Sequence, residues 1–293
     1  VFQRIAFTNK GKKPNILVMS ATPIPRTLAL AAYGDMDESR ITEKPIGRLP
    51  IKTASLSIEK EERLINRLQN KLKDNEKAYW VCPLIEESEE LDLKAATDRY
   101  ENLKKTFDKK VLLIHGQLKE NEKEEIMYKF QNEDYKILVS TTVIEVGIDI
   151  KEATTIIIEH AERFGLAQLH QLRGRCGRNN IQSSCVLFHK HNIGINAKKR
   201  IDKMKETNNG FEIAEKDLEI RGAGEVLGRR QSGFPSFQIA DLSFDRDLLE
   251  DVRKYVDKIS MEDPKLKSDK GINLRNLLYL FERDVAIKTL LAG

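Results

Sequence analysis

Nothing in this 293-residue chain supports a fold stapled by metal or disulfides. Its three cysteines, Cys82, Cys176 and Cys185, are odd in number and include no C-x-x-C pair. That excludes a zinc ribbon or a disulfide framework and suits reduced, buried thiols. No apolar run approaches the roughly 18–20 residues of a membrane-spanning helix, so no membrane partner is expected. The opening Val1-Phe2-Gln3-Arg4 has no Met, no charged n-region and no apolar h-region. No signal peptide is read there, a cytoplasmic location is expected, and the chain is expected to begin inside a longer protein. Two phosphate-handling patterns are missing as well: the G-x-x-x-x-G-K-[ST] loop, and a D-E-x-[HQ] box for magnesium.

What is present describes a globular protein. Hydrophobic residues make up 40% and charged residues 33%, enough apolar matter to bury a core. The net charge of +4 says little by itself, but the arginines are unevenly placed. Arg163, Arg173, Arg175, Arg178, Arg200, Arg221, Arg229 and Arg230 fall in one stretch, which suits contacts to phosphate or a solvated basic face.

The hydrophobic pattern alternates between strand and helix. Residues 15–20 read as a short buried strand, and 35–50 as a connector rich in Gly and Pro. Strands are expected at 51–56, 78–84, 111–115, 137–140, 155–159 and 184–189. Amphipathic helices are expected between them at 58–74, 92–107, 119–131 and 166–173. Near-continuous apolar strands separated by helices imply a parallel α/β sheet sandwiched by helices, with right-handed crossovers and ligands beyond the strands' carboxyl ends. After residue 190 the pattern becomes helical: a hairpin over 196–218, a Gly- and Arg-rich stretch over 221–233, and helices at 241–259 and 274–291. Tyr79 and Trp80 lie on a strand and read as core. His189 and His191 read as surface, and no His spacing suggests a metal site.

Three segments carry chemistry. In QLHQLRGRCGR, Gln168 to Arg178, three arginines are punctuated by Gly174 and Gly177. Phosphoryl transfer needs such charge where negative charge develops, and glycine lets backbone approach a ligand. The plain alternative is a solvated basic helix end. In STTVIEVGIDI, Ser140 to Ile150, consecutive hydroxyls follow a strand and can bond phosphate oxygens without reading sequence. Gly147 then allows a sharp turn, and Asp149 offers a carboxylate for a ribose hydroxyl or an arginine. The plain alternative is a helix cap. SATPIPRT, Ser20 to Thr27, puts small hydroxyl residues at a strand end. The order of the three suggests one coupled site at successive strand ends.

That order resembles motifs III, V and VI of the superfamily 2 helicases, whose engine is two RecA-like domains with ATP between them. The resemblance is closest to the bacterial RecG family of ATP-dependent DNA helicases. It is carried by SATPIPRTLALAAYGDMD, AYWVCPLIEESEELDLKAA, IIIEHAERFGLAQLHQLRGRCGR and GFEIAEKDLEIRGAGEVLGRRQSG, and it runs from about residue 15 to 249. It implies the end of a first RecA-like domain at 1–44 and a second RecA-like domain at 45–192. A translocation hairpin with its loop would follow at 193–235, and a C-terminal helical region at 236–293. The missing phosphate loop and acidic box would lie upstream, as would a wedge domain that splits forks.

By this resemblance Gln171 faces the γ-phosphate or attacking water, and Arg175 and Arg178 are arginine fingers. Gly147 and Asp149 lie near the nucleotide. Ser20 and Thr22 couple ATP state to DNA grip, Ser140, Thr141 and Thr142 belong to the motif touching the DNA backbone, and Arg200, Arg221 and Gln231 match polar positions of the translocation motif. His115, before Gly116, falls near the DNA path. Cys176 stands where the family often has Val, and Ser20 where it often has Thr. The implied cofactors are ATP and Mg2+. The implied partners are branched double-stranded DNA and the protein's own upstream motor and wedge domains, in a monomer. Two other readings stay open: the motor of the transcription-repair coupling factor, which shares IRGAGEVLG, and a non-catalytic nucleic-acid-binding module, which would need no arginine fingers.

Overall fold

Short runs of β-branched and large apolar residues build the centre of the molecule, because a strand covered on both faces has no polar side to show. The computed structural model describes residues 17, 19, 39–43, 47–72, 76–83, 89–141, 150–177, 180–221 and 246–281. Residues 40–220 form one compact unit; residues 1–39 and 221–293 form a second.

The first unit holds six strands: β1 (Lys52–Ser57), β2 (Lys77–Val81), β3 (Val111–Ile114), β4 (Ile137–Ser140), β5 (Ala153–Glu159) and β6 (Ser184–His189). They form a six-stranded sheet in the order β1-β6-β5-β2-β4-β3, with every pairing parallel. Parallel neighbours require crossovers. These are supplied by α1 (Glu61–Lys71), α2 (Glu89–Phe107), α3 (Glu120–Asn132) and α4 (Leu166–Arg173). A helical hairpin follows, α5 (Ile195–Glu206) and α6 (Gly210–Arg221). The α/β class and the alternation of strand and helix agree with the sequence pattern, and α4, β4 and β6 fall on their expected residues.

Strand periodicity divides the core into two layers. On one face Ala78, Trp80, Val139 and Ile157 pack with Leu64, Leu68 and Leu72 of the α1 segment and Leu103 of α2. On the other face Tyr79, Val81, Leu138, Ile156 and Ile158 pack with Phe130 of α3, Leu169 of α4 and Ile201 and Met204 of α5. Cys82, Cys176 and Cys185 are free and buried, as their scatter implied. Burial pushes the Cys176 thiol up to about 12, so it is not a nucleophile at neutral pH.

One expectation is corrected. The helix expected over 58–74 divides into a one-turn 3-10 segment, Ile58–Lys60, capped by Ser57 at Glu59, and α1. The strand expected over 15–20 lies, apart from Leu17 and Met19, outside the described residues.

A polar tie crosses the Trp80 layer. Glu159, ending the apolar run of β5, accepts from Trp80 Nε1 at 2.7 Å and from Arg99 Nε and Nη2 at 2.9 and 2.6 Å. Arg99, on α2, also pairs with Glu61 of α1 and lies over the Trp80 ring, 4.9 Å from its centroid. Burial alone would lower the Arg99 pKa, but the Glu159 and Glu61 carboxylates outweigh it and hold the guanidinium above its ordinary value. One strand end and two helices are thereby tied through a single guanidinium.

In the second unit, α7 (Arg246–Glu262) and α8 (Asp269–Leu280) meet at an elbow. The Asp263 carboxylate accepts from the backbone N–H groups of Lys267 and Ser268 and from the Ser268 hydroxyl, which caps α8 by accepting from Gly271 N. A Cβ on Gly271 would lie 2.3 Å from Asp263 Oδ2 and 2.6 Å from Leu266 backbone, so the elbow needs glycine there.

Breaking the Arg99–Glu159 pair from one side strands a buried charge. Arg99→Met should therefore lower stability by about 3–5 kcal/mol, and the double variant Arg99→Met/Glu159→Leu should recover much of that. Urea unfolding followed by fluorescence of Trp80, the one tryptophan of the chain, measures both. A double variant no more stable than the single one would contradict the account.

Candidate functional site

Residues 168–177 do not sit where ligands of an open sheet usually bind. α4 leaves the carboxyl end of β5 and runs back, so its last turn arrives at the amino ends of β1 and β6. Arg173 Nη1 donates to Thr53 Oγ1 in β1 at 3.2 Å, Gly177 O accepts from Arg48 Nε at 2.9 Å, and Ser184, paired with Lys52, opens β6. The hydroxyl pair Ser140-Thr141 lies at the opposite pole, at the carboxyl end of β4. The structure therefore separates two groups that the order of motifs suggested were one site. The reason is topological: a crossover helix must return the chain to the end where the next parallel strand starts.

Within the turn that closes α4 each side chain has its own environment. Gln171 is exposed on α4, and Arg175, in the turn after it, is half-buried. The hydrogen bonds and ion pairs among the described residues leave the Arg175 guanidinium unused. Arg173 is different, being 2% exposed and facing inward. Besides Thr53 it donates to the backbone carbonyls of Met204 and Thr207 at 2.7 and 3.0 Å and to His170 Nδ1 at 3.2 Å. Burial lowers its pKa below the ordinary arginine value. Cys176 packs fully inside, its thiol near Arg173 O.

Of the two glycines in the turn, only Gly177 needs to be glycine. Its φ is +74°, and a Cβ there would meet Ile51 at 2.9 Å and Ser183 at 3.2 Å. Gly174 has φ −67° and ψ −7°, ordinary helical values for any residue.

At the other pole Ser140 and Thr141 are 0% and 2% exposed, so neither side chain meets solvent. The hydroxyls Ser140 Oγ and Thr141 Oγ1 are buried without a hydrogen-bond partner, and so is Nδ1 of His115, next door on the end of β3. Three orphaned polar atoms at adjacent strand ends are unusual, since buried polar groups are nearly always satisfied. Burial holds the His115 pKa below its ordinary value, which keeps the ring neutral at pH 7.

On the hairpin, Arg200 of α5 donates from Nη2 to Glu162 O at 2.8 Å, in the 3-10 turn Ala161–Arg163 that follows β5. Arg221 ends α6. Ser20, Thr22, Thr142, Gly147, Asp149, Arg178 and Gln231 lie outside the described residues. Sequence reasoning missed two features: the inward role of Arg173, hidden in a run of arginines, and the Glu159–Arg99–Trp80 tie. A carboxylate closing an otherwise apolar strand was the available signal for the second.

Comparison with known proteins agrees with this architecture. The helicase conserved C-terminal domain matches residues 59–180, and the C-terminal part of domain 3 of the ATP-dependent DNA helicase RecG matches residues 207–285. The chain is 44% identical to the RecG of Pasteurella multocida, over 94% of this chain and 41% of that protein. It is 48% identical to the RecG of Aquifex aeolicus, over 92% and 35%, and 45% identical to that of Escherichia coli K12, over 90% and 39%. A solved structure of RecG bound to a three-way DNA junction superposes with a TM-score of 0.64 at 44% identity, covering 83% of this chain and 31% of that one. The chain thus spans about two fifths of the length of the curated relatives it matches. It belongs to the RecG family of ATP-dependent DNA helicases, of which it carries the helicase C-terminal domain and the C-terminal part of domain 3.

Proposed function

We propose that this chain is the second motor domain, with its translocation hairpin, of an ATP-dependent double-stranded DNA translocase that remodels branched DNA, such as stalled forks and Holliday junctions, in recombination and repair. One observation carries the reading: the polar residues of the two motif segments lie at opposite ends of one parallel sheet, the Arg175 turn at the amino ends and the buried Ser140-Thr141 pair at a carboxyl end. A motor must answer to nucleotide and to DNA at once, and a rigid sheet with a patch at each pole can do so. The likeness to RecG through both sheet and hairpin supports the same reading, as does the junction bound by the RecG of the solved structure.

In this reading Gln171 orients water toward the γ-phosphorus, and Arg175 and Arg178 neutralise charge that builds on the phosphoryl oxygens as ADP departs. Gly147 and Asp149 border the nucleotide. The bound metal, Mg2+, would neutralise phosphate charge. By the resemblance to RecG, the residues that would hold it belong to an upstream motor domain. Ser20 and Thr22 link that domain to DNA grip. Ser140 and Thr141 are covered, so of the three hydroxyls Thr142 is the one left to meet the DNA backbone. Arg200, Arg221 and Gln231 transmit closure of the motor to the duplex. Phosphate contacts set position without reading bases, so recognition is of DNA shape. The protein acts as a cytoplasmic monomer, with a wedge domain upstream. No helix among the described residues is long and apolar enough to cross a membrane.

Three outcomes test this. The 293-residue chain by itself should not turn over ATP even with saturating forked DNA, since it lacks the phosphate loop and acidic box; robust DNA-stimulated hydrolysis would refute the division of labour. In the intact RecG protein carrying this chain, Arg178→Ala should cut ATP turnover by roughly 10³-fold while leaving fork binding largely intact. Paired ATPase and fork-binding titrations decide that. Gln231→Ala should lower fork unwinding much more than ATP hydrolysis, because an amide can bond in one motor state and release in the other. A parallel fall in both activities would remove Gln231 from the coupling role.

A further inference from the structure

Resting on that functional reading, we infer that Arg48, on the connector leading into β1, is a positioning residue for ATP hydrolysis: its guanidinium fixes the backbone by which the chain leaves the Arg175 turn. Arg48 Nε donates to Gly177 O at 2.9 Å, a bond between residues 129 apart in the sequence. Gly177 is buried and stands two places after Arg175 and one before Arg178 in the chain. A peptide group is planar, so a donor that fixes the Gly177 carbonyl fixes the whole plane leaving that residue. Arg48 therefore acts on the stretch between the two arginines assigned to phosphate charge without belonging to it.

The bond does more than satisfy one carbonyl. Gly177 has φ +74°, a conformation that glycine enters and leaves at little steric cost, so the residue does not hold its own peptide plane. The connector supplies the restraint instead. The Ile51 side chain lies 2.9 Å from where a Cβ on Gly177 would fall, while Arg48 takes the carbonyl. Asn180 lies against the connector as well: a Cβ on Gly47 would meet Asn180 Oδ1 at 2.7 Å, and Gly47 is itself left-handed, with φ +85°. Gln182 Nε2 donates to Pro50 O at 2.8 Å, and Lys52 N donates to Ser183 O at 2.9 Å, where the backbone ladder of β1 and β6 begins. Outward from that first rung side chains replace the ladder, and Arg48 makes the bond nearest the Arg175 turn. An arginine that stabilises developing charge has to be aimed, because small misplacements of a reacting constellation cost rate rather than binding.

The test uses the intact RecG protein carrying this chain and measures kcat and KM for ATP at saturating forked DNA, with a fork-binding titration and a melting curve. Arg48→Met keeps the apolar stem and removes the donor. It should lower kcat by about tenfold while KM for ATP stays within about twofold, since misaimed arginines lose contacts made only in the transition state. Arg48→Lys, which can still donate to the carbonyl, should keep at least about a third of the wild-type kcat. Arg48→Ala is a second variant without a donor and carries the same expectation as Met; failure of both to fold makes Arg48 a purely structural residue and overturns the proposal. A folded Met variant with unchanged kcat overturns it, and so does a rise in KM with kcat intact, which would make Arg48 a direct contact to nucleotide. A Lys variant as impaired as the Met variant also overturns it. Arg175→Ala, measured alongside, tells this proposal from the reading on which it rests. It should lower turnover by at least about tenfold; if it does not, the arginine-turn reading fails and this proposal with it. If it does while Arg48→Met keeps its kcat, the proposal alone fails.

Discussion

The arrangement of the first unit depends on how it accommodates a buried guanidinium that has no carboxylate among its described partners. Arg173 joins β1, α4 and the α5 terminus because only helix-end carbonyls, a threonine hydroxyl and an imidazole are within reach. Charge-assisted hydrogen bonds to such acceptors are stronger than neutral ones, and a buried cation left without them would be costly. The same solution appears at Lys77, where Nζ donates to the carbonyls of Phe130, Gln131 and Glu133 at the end of α3. Burial pushes the Lys77 pKa down. In both cases the C-terminus of a helix fixes a cation, and the cation fixes where the helix ends against the sheet.

The Glu159–Arg99–Trp80 tie does the complementary work on the other face. There the cation does find carboxylates, and the tie holds α1 and α2 against the carboxyl ends of β2 and β5. With both faces pinned, the sheet can serve as a rigid spacer between its two poles, which the proposed function assigns to nucleotide and to DNA. Rigidity is what such a spacer requires: a deformable sheet would absorb the displacement it has to pass on.

Much of the fold was legible because its signals are local. Strand runs such as 137–140 and 184–189 are bounded by turn residues, and α4 begins after Gly165 and ends at Gly174, so periodicity and punctuation located them well. Helix 58–74 was read as continuous because the change from 3-10 to α-helical hydrogen bonding after Lys60 leaves no mark in the residue pattern.

The chemistry of the site divides along the same line. The sequence by itself determined which residue types are available and in what order, including the three arginines of 168–178, the hydroxyls of 140–142 and the missing phosphate loop, because these are facts of composition and spacing. Tertiary structure alone decided that Arg173 turns inward while Arg175 does not, that Gly177 must be glycine and Gly174 need not, and that the arginine turn and the hydroxyl shelf occupy opposite ends of the sheet. Those outcomes depend on the parallel register and on the return path of α4. Both arise from contacts between residues far apart in the chain, which no local pattern encodes.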